Sequence, residues 1–247
     1  MSVKIYQYVA KKEEFNKPYG LNELMDEIWE SEYWVESDNL ENSIDYPIIS
    51  KYVGAHKLKI LEAGCGLGQW VNFFSKYGHD TYGIDISRIA LEKGKRKYTN
   101  LRLVQGDFKK MPFNNNYFDL IISFGAIEHD IDGPKETLRE FLRIMKKNGI
   151  LYCTVPCLNY FRRAGTVRLK EKIRHIQYIR KLTGRKIGEK VFFEYMFLPK
   201  EYKKILTDIG FELIGLYPLS PYKGKTYFGA GSLGVKVELA LQRYIMK

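Results

Sequence analysis

A chain of 247 residues, 45% apolar and 28% charged, is long enough to bury one sizeable core and short for two independent ones. No run of eighteen apolar residues occurs, and Met1 to Glu14 is polar and charged, so neither a spanning helix nor a signal peptide is expected and the chain reads as cytoplasmic. The formal charge of +11 is unevenly spread: Glu13 to Asp45 holds eleven acids against Lys17 alone, whereas Arg162 to Lys190 holds eleven bases against Glu171 and Glu189.

In chain order, the first periodic segment is Asn22 to Glu32, where Leu21, Leu24, Met25 and Ile28 share one helical face ahead of Tyr33 and Trp34. Next, Leu58, Ile60 and Leu61 build a strand that ends on Glu62 and three alternating glycines, Gly64, Gly66 and Gly68. Gln69 to Tyr77 follows with a helical apolar pattern. A strand that passes through such a loop into a helix brings backbone close to a small-molecule ligand, as a nucleotide-type site requires. The spacing is G-x-G-x-G, with Gln69 where the dinucleotide fingerprint wants its third glycine, which disfavours NAD.

Asp80 to Ile86 is a second extended run ending on Asp85, 23 positions beyond Glu62 and so placed to accept hydrogen bonds from ribose hydroxyls. Leu101 to Val104 is a third, followed by Gly106-Asp107-Phe108, an acid and a flat ring suited to an adenine edge and face. After Met111-Pro112-Phe113 and an Asn114-Asn115-Asn116 turn, Phe118 to Ser123 reads as a buried fourth strand. Gly149 to Val155 is a fifth, and Lys200 to Ile209 a helix. Strands alternating with helices predict a doubly wound α/β sheet.

Taken together, Glu62-x-Gly64-x-Gly66-x-Gly68, Asp85, Gly106-Asp107-Phe108, Pro112-Phe113, Phe118-Asp119 and Glu128-His129 resemble the class I S-adenosylmethionine-dependent methyltransferases of the type 11, ubiquinone-biosynthesis-like group. The likeness covers Lys57 to Pro156 well, Pro199 to Leu219 weakly, and neither the N-terminal arm nor Cys157 to Glu194. It implies a Rossmann-like, mainly parallel seven-stranded sheet in one domain, 1–247. That domain divides into an arm or lid (1–50), a cofactor core (51–156), a basic helical insertion after the fifth strand (157–198) and a C-terminal helix with strands (199–247). It implies S-adenosylmethionine as cofactor and S-adenosylhomocysteine as product. By resemblance, Glu62, Gly64, Gly66 and Gly68 line the methionine part, Asp85 and Ile86 the ribose and one adenine face, and Asp107 with Phe108 the adenine edge. Phe124 is then expected near the sulfonium. Arms of this kind often close the site, so Trp29, Tyr33 or Trp34 are candidate aromatic walls, with core packing the plainer role for each.

A sulfonium methyl is already electrophilic, so the protein must chiefly align the acceptor and exclude water. For a hydroxyl or acidic-carbon acceptor, His129 is the candidate catalytic base, with Asp130 and Asp132 as alternatives and a loop-bonding histidine as the plainer role. Cys65, Cys153 and Cys157 read as small buried residues. His56, His79, His129 and His175 show no paired ligand spacing, so no metal site is expected.

Within 162–190, Leu169, Ile173, Ile176 and Ile179 recur at helical spacing among Arg168, Lys172, Arg174, Arg180 and Lys181, a basic amphipathic helix before Gly184. It suits a lid first, peripheral contact with an anionic membrane second and RNA third; pairing with the acidic arm accounts for its charge equally well. Val235, Val237, Leu239 and Leu241 alternate as a strand while Leu233, Val237, Leu241 and Ile245 fit a helix stripe; the strand is the expectation. The expected activity is methyl transfer to a small molecule or a lipid- or glycan-linked intermediate. The alternatives are a tRNA or other RNA methyltransferase and a non-catalytic cofactor-binding subunit. No feature sets an oligomeric state.

Overall fold

The computed structural model describes residues 2–9, 21–30, 39–156, 189–219 and 236–243. In chain order these form β1 (Val3–Val9), α1 (Leu21–Glu30), a 3-10 turn at Leu40–Asn42, α2 (Tyr46–Ile49), β2 (Lys59–Ala63), α3 (Gln69–Lys76), β3 (Asp80–Asp85), α4 (Arg88–Lys97) and β4 (Leu103–Gln105). Then come β5 (Phe118–Phe124), a 3-10 turn at Ile127–His129, α5 (Lys135–Ile144), β6 (Met145–Pro156), β7 (Glu189–Met196), α6 (Pro199–Ile209), β8 (Phe211–Leu219) and β9 (Lys236–Arg243).

Neighbouring apolar residues in the central strands point to opposite faces and so feed two cores. Leu61, Ile121 and Leu151 meet Leu138 and Phe141 of α5 on one face, while Ile60, Leu120, Ile122 and Tyr152 meet Trp70 and Phe74 of α3 on the other. The main sheet has the order β4-β3-β2-β5-β6-β9-β8. The strands from β4 to β6 pair in parallel, and β9 inserts antiparallel to both β6 and β8. The expected seven-stranded, mainly parallel, doubly wound sheet is therefore present. Chain order reverses between β2 and β5, because β2 pairs with β3 on one edge and β5 on the other. Ligands of open α/β sheets bind beyond the strand carboxyl ends at such a switch point.

Local chemistry sets the element ends. Ser87 caps α4, its hydroxyl accepting the Ala90 N–H at 3.1 Å. Pro199 opens α6 and Gly210, in the left-handed region, closes it. Observed bounds differ from expectation in two places. The third strand starts at Leu103 and not Leu101, whose side chain packs with Leu103, Cys65, Val71 and Leu91 from the preceding loop. β6 starts at Met145, directly after α5, and pairs with Phe118 before a register shift at Leu120. The C-terminal segment is a strand, because β6 and β8 leave a hydrogen-bonding slot that β9 fills on both edges.

Outside the main sheet, β1 and β7 form an antiparallel two-stranded ribbon. Neither strand was expected: β1 lies in the polar N-terminal stretch, and β7 ends the segment read as a basic insertion. Their partners lie 180 to 193 positions apart, beyond the reach of local periodicity. The helical reading of 162–190 falls almost entirely outside the described residues, as do Cys157, Tyr33 and Trp34.

Candidate active site

The glycine loop after β2 lies at the switch point and is tied to β3 along its length. Gly64 and Cys65 donate their N–H groups to the Ile84 carbonyl at 2.8 and 3.1 Å, and Gly66 donates to Asp85 Oδ2 at 2.8 Å. Asp85 Oδ1 accepts the Ser87 N–H, also at 2.8 Å. This carboxylate is buried, which raises its pKa; its backbone hydrogen bonds oppose that shift. Glu62, likewise buried, accepts the Val71 N–H from α3 at 3.2 Å, and burial pushes its carboxyl well above the ordinary range.

Gly64 and Gly66 have φ of +80° and +50°, conformations that favour glycine, and each is also approached too closely for a side chain. A Cβ on Gly64 would overlap Ala126 of the loop after β5, with Phe108 Cζ 3.5 Å away; one on Gly66 would overlap the Trp29 indole. The arm helix α1 therefore covers the glycine loop. Asp26 Oδ1 fixes it there by accepting from Ser87 Oγ at 2.5 Å and from the Ile89 N–H at 3.3 Å, while Lys93 Nζ donates to the Trp29 carbonyl at 2.5 Å. Of the three candidate wall aromatics, Trp29 is the one within the described residues.

The remaining expected cofactor residues have different surroundings. Ile86 is half-buried at the end of β3, its carbonyl accepting from Gln105 Nε2 at 3.2 Å. Phe108 faces Gly64 and Phe141. Asp107 is exposed and accepts the Lys109 N–H at 2.9 Å. Phe124 stacks on Trp70 at 5.2 Å and meets Tyr152 edge-on, so its ring belongs to the core on the α3 side.

His129 sits in the turn after β5, with Nδ1 2.6 Å from the Phe193 carbonyl of β7 and its ring edge-on to Phe193. Burial lowers its pKa, partly offset by that carbonyl, and so favours the neutral imidazole. Asp130 and Asp132 both face Lys109 Nζ, at 3.0 and 2.8 Å.

Residues 61–153 match the family described as "Methyltransferase domain". Over this stretch, 93 of the 247 residues, the chain is similar to that family. The stretch contains the glycine loop, Asp85 and His129, and its class I fold agrees with the resemblance read from the sequence. The chain is 37% identical over 102 residues to demethylmenaquinone methyltransferase of Staphylococcus saprophyticus (38% of this chain, 43% of that protein). It is 34% identical over 133 residues to the enzyme of the same description from Staphylococcus aureus (49% and 54%). The chain thus spans about half the length of the curated relatives it matches. An S-adenosylmethionine-dependent methyltransferase of Methanosarcina mazei superposes with TM-score 0.62 at 20% identity, over 81% of this chain and 99% of that one. One from Mesorhizobium loti gives 0.60 at 14% identity, over 83% and 100%. These likenesses show the shared fold.

The residues of the matched segment fit the cofactor that this family implies. Both Asp85 oxygens are anchored by backbone N–H groups, yet each keeps a second lone pair for a ribose hydroxyl. Gln69 Nε2, at the start of α3, is a buried donor with no hydrogen-bond partner, suited to a carboxylate such as an amino-acid group carries. The sequence reading took Gln69 as the start of a helix and the residue that breaks the dinucleotide spacing, and did not mark its side chain as a donor. Ser123 Oγ and Thr154 Oγ1, near the carboxyl ends of β5 and β6, are buried and without a hydrogen bond in the same way. A lone serine or threonine in an apolar strand gives no signal of this in the sequence. Among the described residues no helix is long and apolar enough to cross a membrane.

Proposed function

We propose that this chain transfers the methyl group of S-adenosylmethionine to a small-molecule acceptor of quinol type, releasing S-adenosylhomocysteine. The observation that carries the reading is the glycine loop locked to Asp85 at the switch point, inside a segment that matches a methyltransferase domain. The quinol class rests on the two staphylococcal relatives, both described as demethylmenaquinone methyltransferases.

When bound, the cofactor supplies an electrophilic methyl on a positively charged sulfur. The chain's own residues have the other tasks. Asp85 holds ribose hydroxyls, Glu62 and Gln69 meet the polar amino-acid end, and Phe108 covers a base face. Trp29 keeps water off the loop. His129, neutral and fixed by the Phe193 carbonyl, is the proposed acceptor of a proton from a ring hydroxyl or acidic ring carbon as the methyl arrives. A second-row reading as an RNA methyltransferase, or contact of 162–190 with a membrane or a lipid- or glycan-linked acceptor, draws on charge alone.

Calorimetric titration with S-adenosylmethionine, S-adenosylhomocysteine and NAD is the first test, with binding of the first two alone expected at about −8 kcal/mol for micromolar affinity. Methyl transfer from labelled cofactor to a panel of demethylated quinols and to bulk tRNA then separates the acceptors. Turnover on tRNA that falls steeply with salt, with none on quinols, would overturn the acceptor class.

A further inference from the structure

We propose that Glu128, His129 and Glu194 form a binding site for one divalent transition-metal ion that fastens the β1–β7 ribbon to the loop after β5. A ring nitrogen of His129 and one carboxylate oxygen from each glutamate lie within 4.8 Å of one another. Donors bound at about 2.0–2.2 Å stand about 3–3.5 Å apart around a shared ion, so modest side-chain rotation closes the set. Spacing along one helix face, by which a metal site was discounted from the sequence, does not reveal this trio. Glu128 and His129 are adjacent in a 3-10 turn, and Glu194 arrives on β7.

Three features beyond proximity support a built site. First, the imidazole is oriented from outside the trio, by the Phe193 carbonyl at 2.6 Å and the Phe193 ring edge-on, as metal-ligating histidines usually are. Second, two carboxylates approach each other here with Glu128 only 2% exposed, and in such surroundings a shared positive charge is favourable. Third, the junction is already tied by hydrogen bonds: Tyr195 Oη donates to the Ile131 carbonyl at 2.8 Å, and Lys4 Nζ donates to the same oxygen at 3.1 Å. The ligands thus come from two elements held in fixed register, which limits the entropy lost on binding.

The donor set also selects the ion. One imidazole nitrogen with two carboxylates suits Zn2+ or Mn2+ better than Ca2+, which prefers six or more oxygens. Three protein ligands leave further positions for water. The ion and a proton compete for the same imidazole, so a loaded site would replace the base role of His129. Because the readout is binding, the proposal stands or falls separately from methyl transfer.

The test is titration of the chelator-treated full chain with Zn2+ by calorimetry and with Mn2+ by electron paramagnetic resonance. One equivalent of either ion should bind, and Glu194→Gln or His129→Gln should weaken it at least about tenfold. Asp132→Asn, which removes an exposed carboxylate paired with Lys109, should leave binding unchanged. Spin-echo modulation from a coordinated imidazole nitrogen in the Mn2+-loaded wild type checks the ligand without any variant. Absence of stoichiometric binding at submillimolar metal, absence of imidazole modulation, or binding that both substitutions leave intact would each overturn the proposal.

Discussion

Asp85 Oδ2 and the Gly66 N–H are joined by a 2.8 Å hydrogen bond that ties the end of β3 to the centre of the glycine loop. The other oxygen of the same carboxylate accepts the Ser87 N–H, so one side chain sets the loop and the entry to α4 together. Asp85→Ala would strand both N–H groups in a buried setting, at about 1–3 kcal/mol each. Denaturant unfolding should show a loss within that range or above it. Asp85→Asn, which keeps one acceptor oxygen, should lose less. Cofactor affinity, read by calorimetry, should fall in both; unchanged affinity in the alanine variant would refute the ribose assignment.

Trp29 lies against Gly66, so the arm must yield when a ligand enters beneath it. The intrinsic fluorescence of the wild type should therefore change on addition of S-adenosylhomocysteine, and Trp29→Phe should remove most of that change. Stopped-flow measurement on Trp29→Ala should show faster cofactor release, because the cover is gone. An unchanged release rate would mean that α1 does not guard the loop.

Gly94 sets two effects against each other. Alanine is favoured over glycine within a helix by about 1 kcal/mol, yet a Cβ on Gly94 would overlap the Leu67 carbonyl oxygen, with Leu67 Cα at 3.1 Å. The neighbour is backbone of the glycine loop and cannot rotate away, so overpacking should win. Gly94→Ala is expected to destabilise the chain by about 1–3 kcal/mol, read from thermal or denaturant unfolding. A stabilised variant would show that α4 can shift outward.

Glu62 has a pH signature. Its folded pKa is raised well above the ordinary value of about 4.5, chiefly by burial, so the folded state holds a proton that the unfolded state releases. Stability from this group is complete below about pH 4.5 and declines as pH rises from there through the folded pKa. Glu62→Gln keeps an acceptor for the Val71 N–H and does not titrate. Its stability relative to wild type should therefore rise with pH above about 4.5, as thermal melts at stepped pH would show. A relative stability independent of pH across that window would contradict the burial argument.

Much of this molecule was legible locally. The apolar strands, the glycine loop with its acid, and the order of strand ends carried the fold and the position of the loop, because two-residue and helical periodicities and the avoidance of a Cβ are properties of short segments. Where the reading stopped short, the deciding contact was distant in the chain. Asp107 and Phe108 were read as a pair, yet one faces solvent and the other packs under Gly64. Phe124 was placed by its position at a strand end, but alternation turns its ring to the α3 side, where Trp70 receives it.

By itself the sequence determined the α/β class, the parallel central strands and the glycine loop after the first of them, since each follows from backbone preference and side-chain patterning over ten residues or fewer. Tertiary structure alone decided the pairing of β1 with β7, the fit of β9 between β6 and β8, the seating of Trp29 on Gly66 and the meeting of Glu128, His129 and Glu194. Each of these joins segments that only the closed chain brings together, through hydrogen bonds and packing whose partners no local pattern names.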